Sequence, residues 1–598
     1  MQFESLANEL LLELFKCLTT SHIFHAFHGL NSRFDALILE YFRKCNIDFR
    51  SISKCDFDII CQQHLTKMVD RITSLCLSDE DDTPGQIDQF FEHGFTFHQF
   101  INLRSLYLYD IRSETMMDKV ILDLPHLSSL THLIFGQCYF PLRSNYEKAV
   151  SFANCIWSLP KLSYCCIKVD YKYRQTHHFT DRCRRDNGIF IAPTVTSSTL
   201  EYLSLIGMKQ CDIIMDQLFT HTPYLRRILA DNCLNINMNS LSNLLSMTTL
   251  NISLLSFQYW DSFFNFLRKM PNLRHLKVEF CSIYSYVNGQ RWEQIILNYL
   301  PKLERLQFKM LVSLNNDLEE EEEEEEQIDR ILDKFRSQFW LVEHHWFVQC
   351  DWNLHRECAI LYTLPYAFDS FRFYSPIQSK STSPYDNDLR SYDNVHSLIY
   401  KPRLFNMSSS SHIQFFNIQH LSIEFPINAH FLSIIPRFDH LISLDALSNN
   451  YDEHCQHQLQ DLLDRAPRLS SIRLGWKTLT SSLVQLFASR NWSVYQLELL
   501  CYGRSLNRQQ CIMISNIIPS IHCKVLNLMI ANRTCILEFI NTMNHLRALN
   551  IRCQNDESSR SAQSTQDELC TWLQQQISST FSTTKITRRD TIVRMWIH

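Results

Sequence analysis

Glycine is scarce in this chain, at 9 of 598 residues, far below the roughly 7% of average usage. A dinucleotide-binding turn or a phosphate-cradling loop needs several glycines at close spacing, and no such cluster occurs. A basic surplus is also missing. Lys and Arg total 57 against 63 Asp and Glu, a net charge of −6, so no overall field draws in nucleic acid or an acidic membrane. No run of eighteen apolar residues occurs, and a membrane span is not expected. The opening MQFESLANELLLELFKCL carries Glu4, Glu9 and Glu13 where an export signal has a basic start and an uncharged core. The 22 cysteines then read as reduced thiols of a cytoplasmic or nuclear protein. They include no C-x-x-C pair, and G-x-S-x-G and H-E-x-x-H are absent too. The expectation is a non-enzyme without cofactor or metal.

What is present follows two periodic rules. In the first forty residues, Leu10, Leu11, Leu14, Phe15 and Leu18 recur at helical spacing, with Glu9, Glu13 and Lys16 between them. Ser21 is placed to cap a second short helix carrying Ile23, Phe24, Ala26 and Phe27, with Gly29 as its C′ residue. Asn31 is placed to cap a third, carrying Phe34, Leu37, Ile38 and Tyr41. Three such short helices cannot bury all that apolar surface on one another. The surplus packs either on the rest of the chain, as a cap, or on a partner.

The order Leu6-Ala7-Asn8-Glu9-Leu10-Leu11, then Leu14-Phe15, Leu18, Ile23, Ala26, Leu30, Arg33-Phe34 and Leu37 resembles an F-box. That pattern opens L-P-x-E-L-L and closes on an aromatic, usually Trp, after a basic residue. Ala7 stands in place of the proline and Phe34 in place of the Trp. The resemblance implies docking to the Skp-type adaptor of cullin–RING ubiquitin ligases. By position, Leu6, Ala7, Leu10, Leu11, Phe15, Leu18, Ile23, Leu30 and Phe34 form that contact or its support.

From about residue 72 the phrase L-x-x-L-x-L takes over. It is clear from Ile72, Leu103, Leu130, Leu200, Leu273 and Leu303, and returns near Leu421, Leu444, Ile472, Leu497, Leu526 and Leu549, at spacings mostly of 23–32 residues. Pro160, Pro223, Pro271, Pro301 and Pro467 each stand two residues before a repeat's first position, where proline ends a helix and leads into a strand. Trp260, Phe263, Phe264, Leu267 and Met270 line one helix face, Pro271 stops it, and Leu273–Val278 reads as a strand. The pattern resembles helix-bearing leucine-rich repeats, which implies an α/β solenoid with its strands on the concave side. Cys138, Cys233 and Cys281 occupy the repeat's N/C position, where a small polar group bonds backbone at the turn. Outward strand positions supply candidate target-binding residues: Tyr107, Tyr109, His132, Arg227, His275, Lys277, Arg305 and Arg473.

The phrase lapses between Leu306 and Leu421. Glu319–Glu326, eight consecutive glutamates, reads as a solvated disordered loop. Phe339–Val348 and Cys358–Leu364 read as strands of a hairpin, and 375–412 as a long loop. His344, His345, Cys350 and Cys358 do not make a convincing zinc set, because adjacent histidines on a strand point to opposite faces. The tail carries a loop at 554–566, a helix at Leu569–Ile577 and a strand at Thr591–Ile597.

The expected organisation is an N-terminal three-helix F-box-like module at 1–42, a helical linker at 43–70 and leucine-rich repeats at 71–310. An insertion at 311–417, further repeats at 418–553 and a C-terminal cap at 554–598 complete it. The expected role is a substrate-recruiting subunit of an SCF-type ubiquitin ligase. It would bind a Skp-type adaptor, through that a cullin, and a target protein, but no nucleic acid and no membrane. The alternative is a leucine-rich scaffold whose first helices are only a cap.

Overall fold

A computed structural model describes the chain except for residues 1–2, 45, 139–145, 169–189, 208–214, 234–242, 255–259, 284–286, 315–323, 353–357, 374–377, 385–391, 402–412, 429–430, 449–452, 477–493, 502–504, 518–522, 544, 554–571, 577–584, 590–591 and 598. Helices and strands alternate and the sheets are mostly parallel, so the fold is α/β. The residues form two compact units. One comprises Met1–Lys209, Thr220–Leu225 and Lys524–His598; the other comprises Gln210–Phe219 and Arg226–Cys523.

The first unit opens with helices α1 (Asn8–Lys16), α2 (Thr20–Phe27) and α3 (Ser32–Lys44). Strand β1 (Ile47–Asp48) and helix α4 (Lys54–Ile59) follow. Then come β2 (Ser74–Ser78), β3 (Ser105–Tyr109), β4 (His132–Gly136), β5 (Tyr164–Lys168) and β6 (Tyr202–Ile206). Neighbouring strands from β1 to β6 pair in parallel. The stretch expected to be a helical linker therefore also contributes a strand, because Ile47 has an apolar slot beside Leu75. Leu75, Leu106, Leu133, Cys165 and Leu203 stand in one register row and are all fully buried. The period of two sends their sequence neighbours to the opposite face.

In the second unit β7 (Arg227–Cys233), β8 (Thr249–Leu254), β9 (His275–Ile283) and β10 (Arg305–Ser313) are parallel. Strand β11 (Val348–Trp352) and β12 (Cys358–Thr363) extend that sheet antiparallel from β10. Phe339–Glu343 is a wide helical turn and not the expected strand: Phe339 and Trp340 are buried in an aromatic cluster with Phe335 and Trp346. Nor is 375–412 one long loop. Strand β13 (Ser370–Phe373) precedes it, and β14 (Gln378–Ser381) and β15 (Ser397–Tyr400) lie within it. A second parallel run of β13, β15, β16 (His420–Phe425), β17 (Ser443–Ser448), β18 (Ser471–Trp476) and β19 (Gln496–Cys501) completes this unit.

The last strands belong to the first unit. They are β20 (Val525–Ile530), β21 (Ala548–Cys553), β22 (Lys585–Arg589) and β23 (Ile592–Trp596). The expected strand near the C-terminus is β23, which pairs antiparallel with β21. Of the expected tail helix, residues 572–576 are helical; the expected loop at 554–566 lies outside the described residues.

These strands bond to the ends of β2 and β3. Arg594 donates to the Asp79 carbonyl at 2.8 Å and to Asp81 Oδ1 at 2.9 Å, and stands 3.6 Å from Asp110 Oδ2. Asn527 Nδ2 donates to Asp81 Oδ2 at 3.0 Å, and Asn550 Nδ2 to the Asp81 carbonyl at 2.9 Å. Arg112 pairs with Asp110, and Trp596 packs on Phe57 of α4 at 5.4 Å. Burial pushes the Asp79 carboxyl up to about 7, although the Ile87 N–H bonds it and Arg594 opposes the shift. The unfolded chain ionises this carboxyl lower, near 3.8. The folded state's advantage from it is thus full below that value and is lost as pH rises to about 7. Asp79→Asn is expected to stabilise the protein at pH 8 and to flatten its urea midpoint between pH 4 and pH 7. An unchanged pH profile would refute this.

Candidate functional site

Helix α1 starts after Ala7, whose φ of −62° and ψ of 149° are those a proline adopts. No side chain caps that end. Arg33 of α3 instead ties down the approach to α1. Its guanidinium donates to Asn8 Oδ1 at 2.9 and 2.7 Å, to the Leu6 carbonyl at 2.5 Å and to the Glu4 carbonyl. The stretch around Ala7, where an F-box pattern has proline, is thus held from α3. Ala7→Pro should raise stability by about 0.4–1 kcal/mol by restricting the unfolded chain, read as a higher denaturation midpoint. A lower midpoint would show that the ring does not fit.

Thr19 and not Ser21 caps α2, its Oγ1 accepting from the His22 N–H at 3.3 Å. Ser21 lies one residue inside the helix. Gly29 has φ +75°, the left-handed geometry expected after a helix end. Asn31 Oδ1 accepts from the N–H groups of Arg33 and Phe34, each at 3.1 Å, so the expected cap of α3 is present.

The nine residues picked from the F-box pattern fall into two groups. Leu11, Phe15, Ile23 and Phe34 are interior, at most 1% exposed, with Phe27 packed between Phe15 and Phe34. Leu10 and Leu30 are each 58% exposed, Ala7 is exposed, and Leu6 and Leu18 are half-buried. Leu14, 36% exposed, stands one turn after Leu10 on the same face of α1. Sequence reasoning treated it as part of the helix stripe and not as surface. Elsewhere on these helices Phe24 of α2 stacks on Phe42 of α3 at 5.4 Å and on His64, in the chain that follows, at 4.9 Å, and His25 Nε2 is 2.6 Å from Asp56 Oδ1 of α4. Burial, with His28 close by, lowers His64 to about 4.

The candidate target-binding residues are spread over several strands. Tyr107 and Tyr109 lie on the half-exposed face of β3, but Tyr109 covers Gly136, where a Cβ would collide with its ring. Exposed His132 stacks on Tyr164 at 5.4 Å, and Tyr164 on Tyr202 at 4.3 Å, an aromatic ladder across β4, β5 and β6. Arg227, Thr249, His275 and Arg305 form one register row across β7–β10. Lys277, in the next row, donates to the Ala367 carbonyl at 2.8 Å and sits 4.6 Å from the Phe368 ring; burial lowers its pKa. Arg473 is half-buried in an ion pair with Glu498 at 2.8 Å.

Cys138 Sγ lies 3.3 Å from the Leu108 carbonyl, a turn contact of the kind expected at that position; the side chains of Cys233 and Cys281 lie outside the described ones. Part of the glutamate run is not a loop. The helix Glu324–Asp333 begins within it, and Lys380 fixes its outer face through Glu325 at 2.8 Å and Asp329 at 2.7 Å. Residues 319–323 lie outside the described residues. Among the described residues no three His, Cys, Asp or Glu side chains converge as a metal site, and no helix is long and apolar enough to cross a membrane. No protein-family model matches the chain, and no curated protein sequence does.

Proposed function

We propose that this chain is an F-box protein with leucine-rich repeats that recruits a target protein to an SCF-type ubiquitin ligase in the cytoplasm or nucleus. One observation carries the reading. The three N-terminal helices have a filled interior of their own, yet leave Leu10, Leu14 and Leu30 bare. Scattered exposed leucines are ordinary, but two in line on one short helix of a module with its own filled interior suit a partner's apolar groove. The parallel strands preceded by helices are the arrangement that leucine-rich repeats would give, which supports a solenoid with an open sheet face for the target.

The mechanism is proximity. The helical module ties the chain to the adaptor, the sheet face holds the target, and tethering raises the target's local concentration at the ubiquitin-charged enzyme into the millimolar range or above. This chain contributes no nucleophile, base or metal. The competing cap reading draws on the contacts of Phe24 with His64 and of His25 with Asp56 in the chain that follows. Purified full-length protein mixed with a Skp-type adaptor and passed over a sizing column separates the two. Co-elution is expected, and independent elution would leave the cap reading in place.

A further inference from the structure

The face of β7–β10 that carries Arg227, His275 and Arg305 has a charge gradient along its strands, with Ala367 and Phe368 lying against Lys277 farther along. At their N-terminal ends the register row is Arg227, Thr249, His275 and Arg305. Both arginines are exposed, and the His275 side chain is 41% exposed. The second row out is Leu229, Asn251, Lys277 and Gln307, and the third, past a bulge in β7 after Ala230, is Ser253, Glu279 and Lys309. In the third row Lys309 is bound to Glu279 at 2.7 Å. The positive end therefore lies at the strand starts, and the far end is balanced. Glu304 borders the basic row, but Arg274 holds it at 3.0 Å and His275 stands 4.0 Å from it.

We propose that this row docks a carboxylate-rich, extended segment of a partner protein running across β7 to β10. The inference rests on the target-holding half of the function proposed above and specifies the chemistry of what is held. Strands about 4.8 Å apart put Arg227 and Arg305 about 14 Å apart at Cα, a span of about four extended residues. Acidic side chains three to four residues apart would meet both arginines, with the His275 imidazole between them.

Nucleic acid is a poor fit for this row. A phosphate backbone is held by about 6–10 cationic contacts, whereas this face offers few and carries Glu279 among them.

The test is selection of random dodecapeptides on immobilised full-length protein, followed by anisotropy titration of the peptides recovered. Expected are peptides enriched in Asp and Glu at intervals of three to four residues. Their affinity should fall at least tenfold in Arg227→Glu/Arg305→Glu and about threefold in Arg227→Gln/Arg305→Gln, and should weaken as salt is raised. Both variants should keep the wild-type melting temperature, since both arginines are exposed. Recovery of neutral or basic peptides, affinity indifferent to both variants, recovery of no peptide, or stronger binding of a single-stranded DNA oligomer would each overturn the proposal. Adaptor co-elution measured on the same proteins keeps the two readings apart. Peptide binding lost in the variants with the adaptor retained supports both, and peptide binding in a protein that never binds the adaptor supports the acidic-segment site alone.

Discussion

Leu10→Asp combined with Leu14→Asp should abolish capture of a Skp-type adaptor while leaving the melting temperature within a degree or two of wild type. The two side chains lie on one face of α1, Leu10 58% and Leu14 36% exposed, so replacing them removes little interior contact. At an interface, each buried leucine contributes about 1.5–3 kcal/mol. Losing both, and placing two carboxylates against an apolar groove, amounts to about a hundredfold or more in affinity. Leu11→Asp provides the contrast. Leu11 is fully buried, and an unpaired charge there should melt α1–α3, seen as lost helical circular dichroism and lost protection from hydrogen exchange. Adaptor binding retained by the Leu10/Leu14 variant would remove the support for the ligase reading. Loss of fold in that variant would show that these helices are a cap.

The second large effect is expected at Arg594. Its side chain is 7% exposed and holds Asp81 and the Asp79 carbonyl, with Asp110 close by. Arg594→Ala leaves those buried carboxylates short of a counter-charge, a loss of about 3–5 kcal/mol. The measurement is hydrogen exchange on the full chain. Protection should fall together in β2, β3, β21 and β23, all in one unit, while β7–β19 keep theirs. Adding Asp81→Asn should return part of the loss, because the two changes meet in one network. Exchange in β2 and β3 identical to wild type would show that the arginine is incidental.

The α/β alternation and the buried strand rows were legible because Leu fills them at a fixed interval. The phrase was missed where other residues fill the same slots. Cys165 and Ile167 on β5, Ile228 and Ala230 on β7, Leu250 and Ile252 on β8, and Leu398 and Tyr400 on β15 are all buried as their leucine counterparts are. Pro160 and Pro223 had already marked two of these entries. The stretch Phe339–Phe347 misled because an aromatic run reads as a strand, whereas here the rings pack around Trp340 in a helical turn. In the N-terminal helices the apolar positions were legible, but not which of them turn outward. A stripe of leucines fixes a helix's orientation only once its neighbours are known, and Leu10 and Leu11 look alike until the fold buries Leu11 and leaves Leu10 58% exposed. The bonds from β21 and β23 to β2 and β3 join residues more than four hundred positions apart, beyond any periodic signal.

That separation has a consequence for synthesis. Asp79, Asp81 and Asp110 leave the ribosome long before Arg594, and at roughly 5–20 residues per second they wait on the order of a minute for that arginine. During that interval Arg112 is the cation at hand for Asp81 and Asp110, and the carboxylates at the ends of β2 and β3 outnumber it. The nascent chain is finished only when its tail comes back to its beginning.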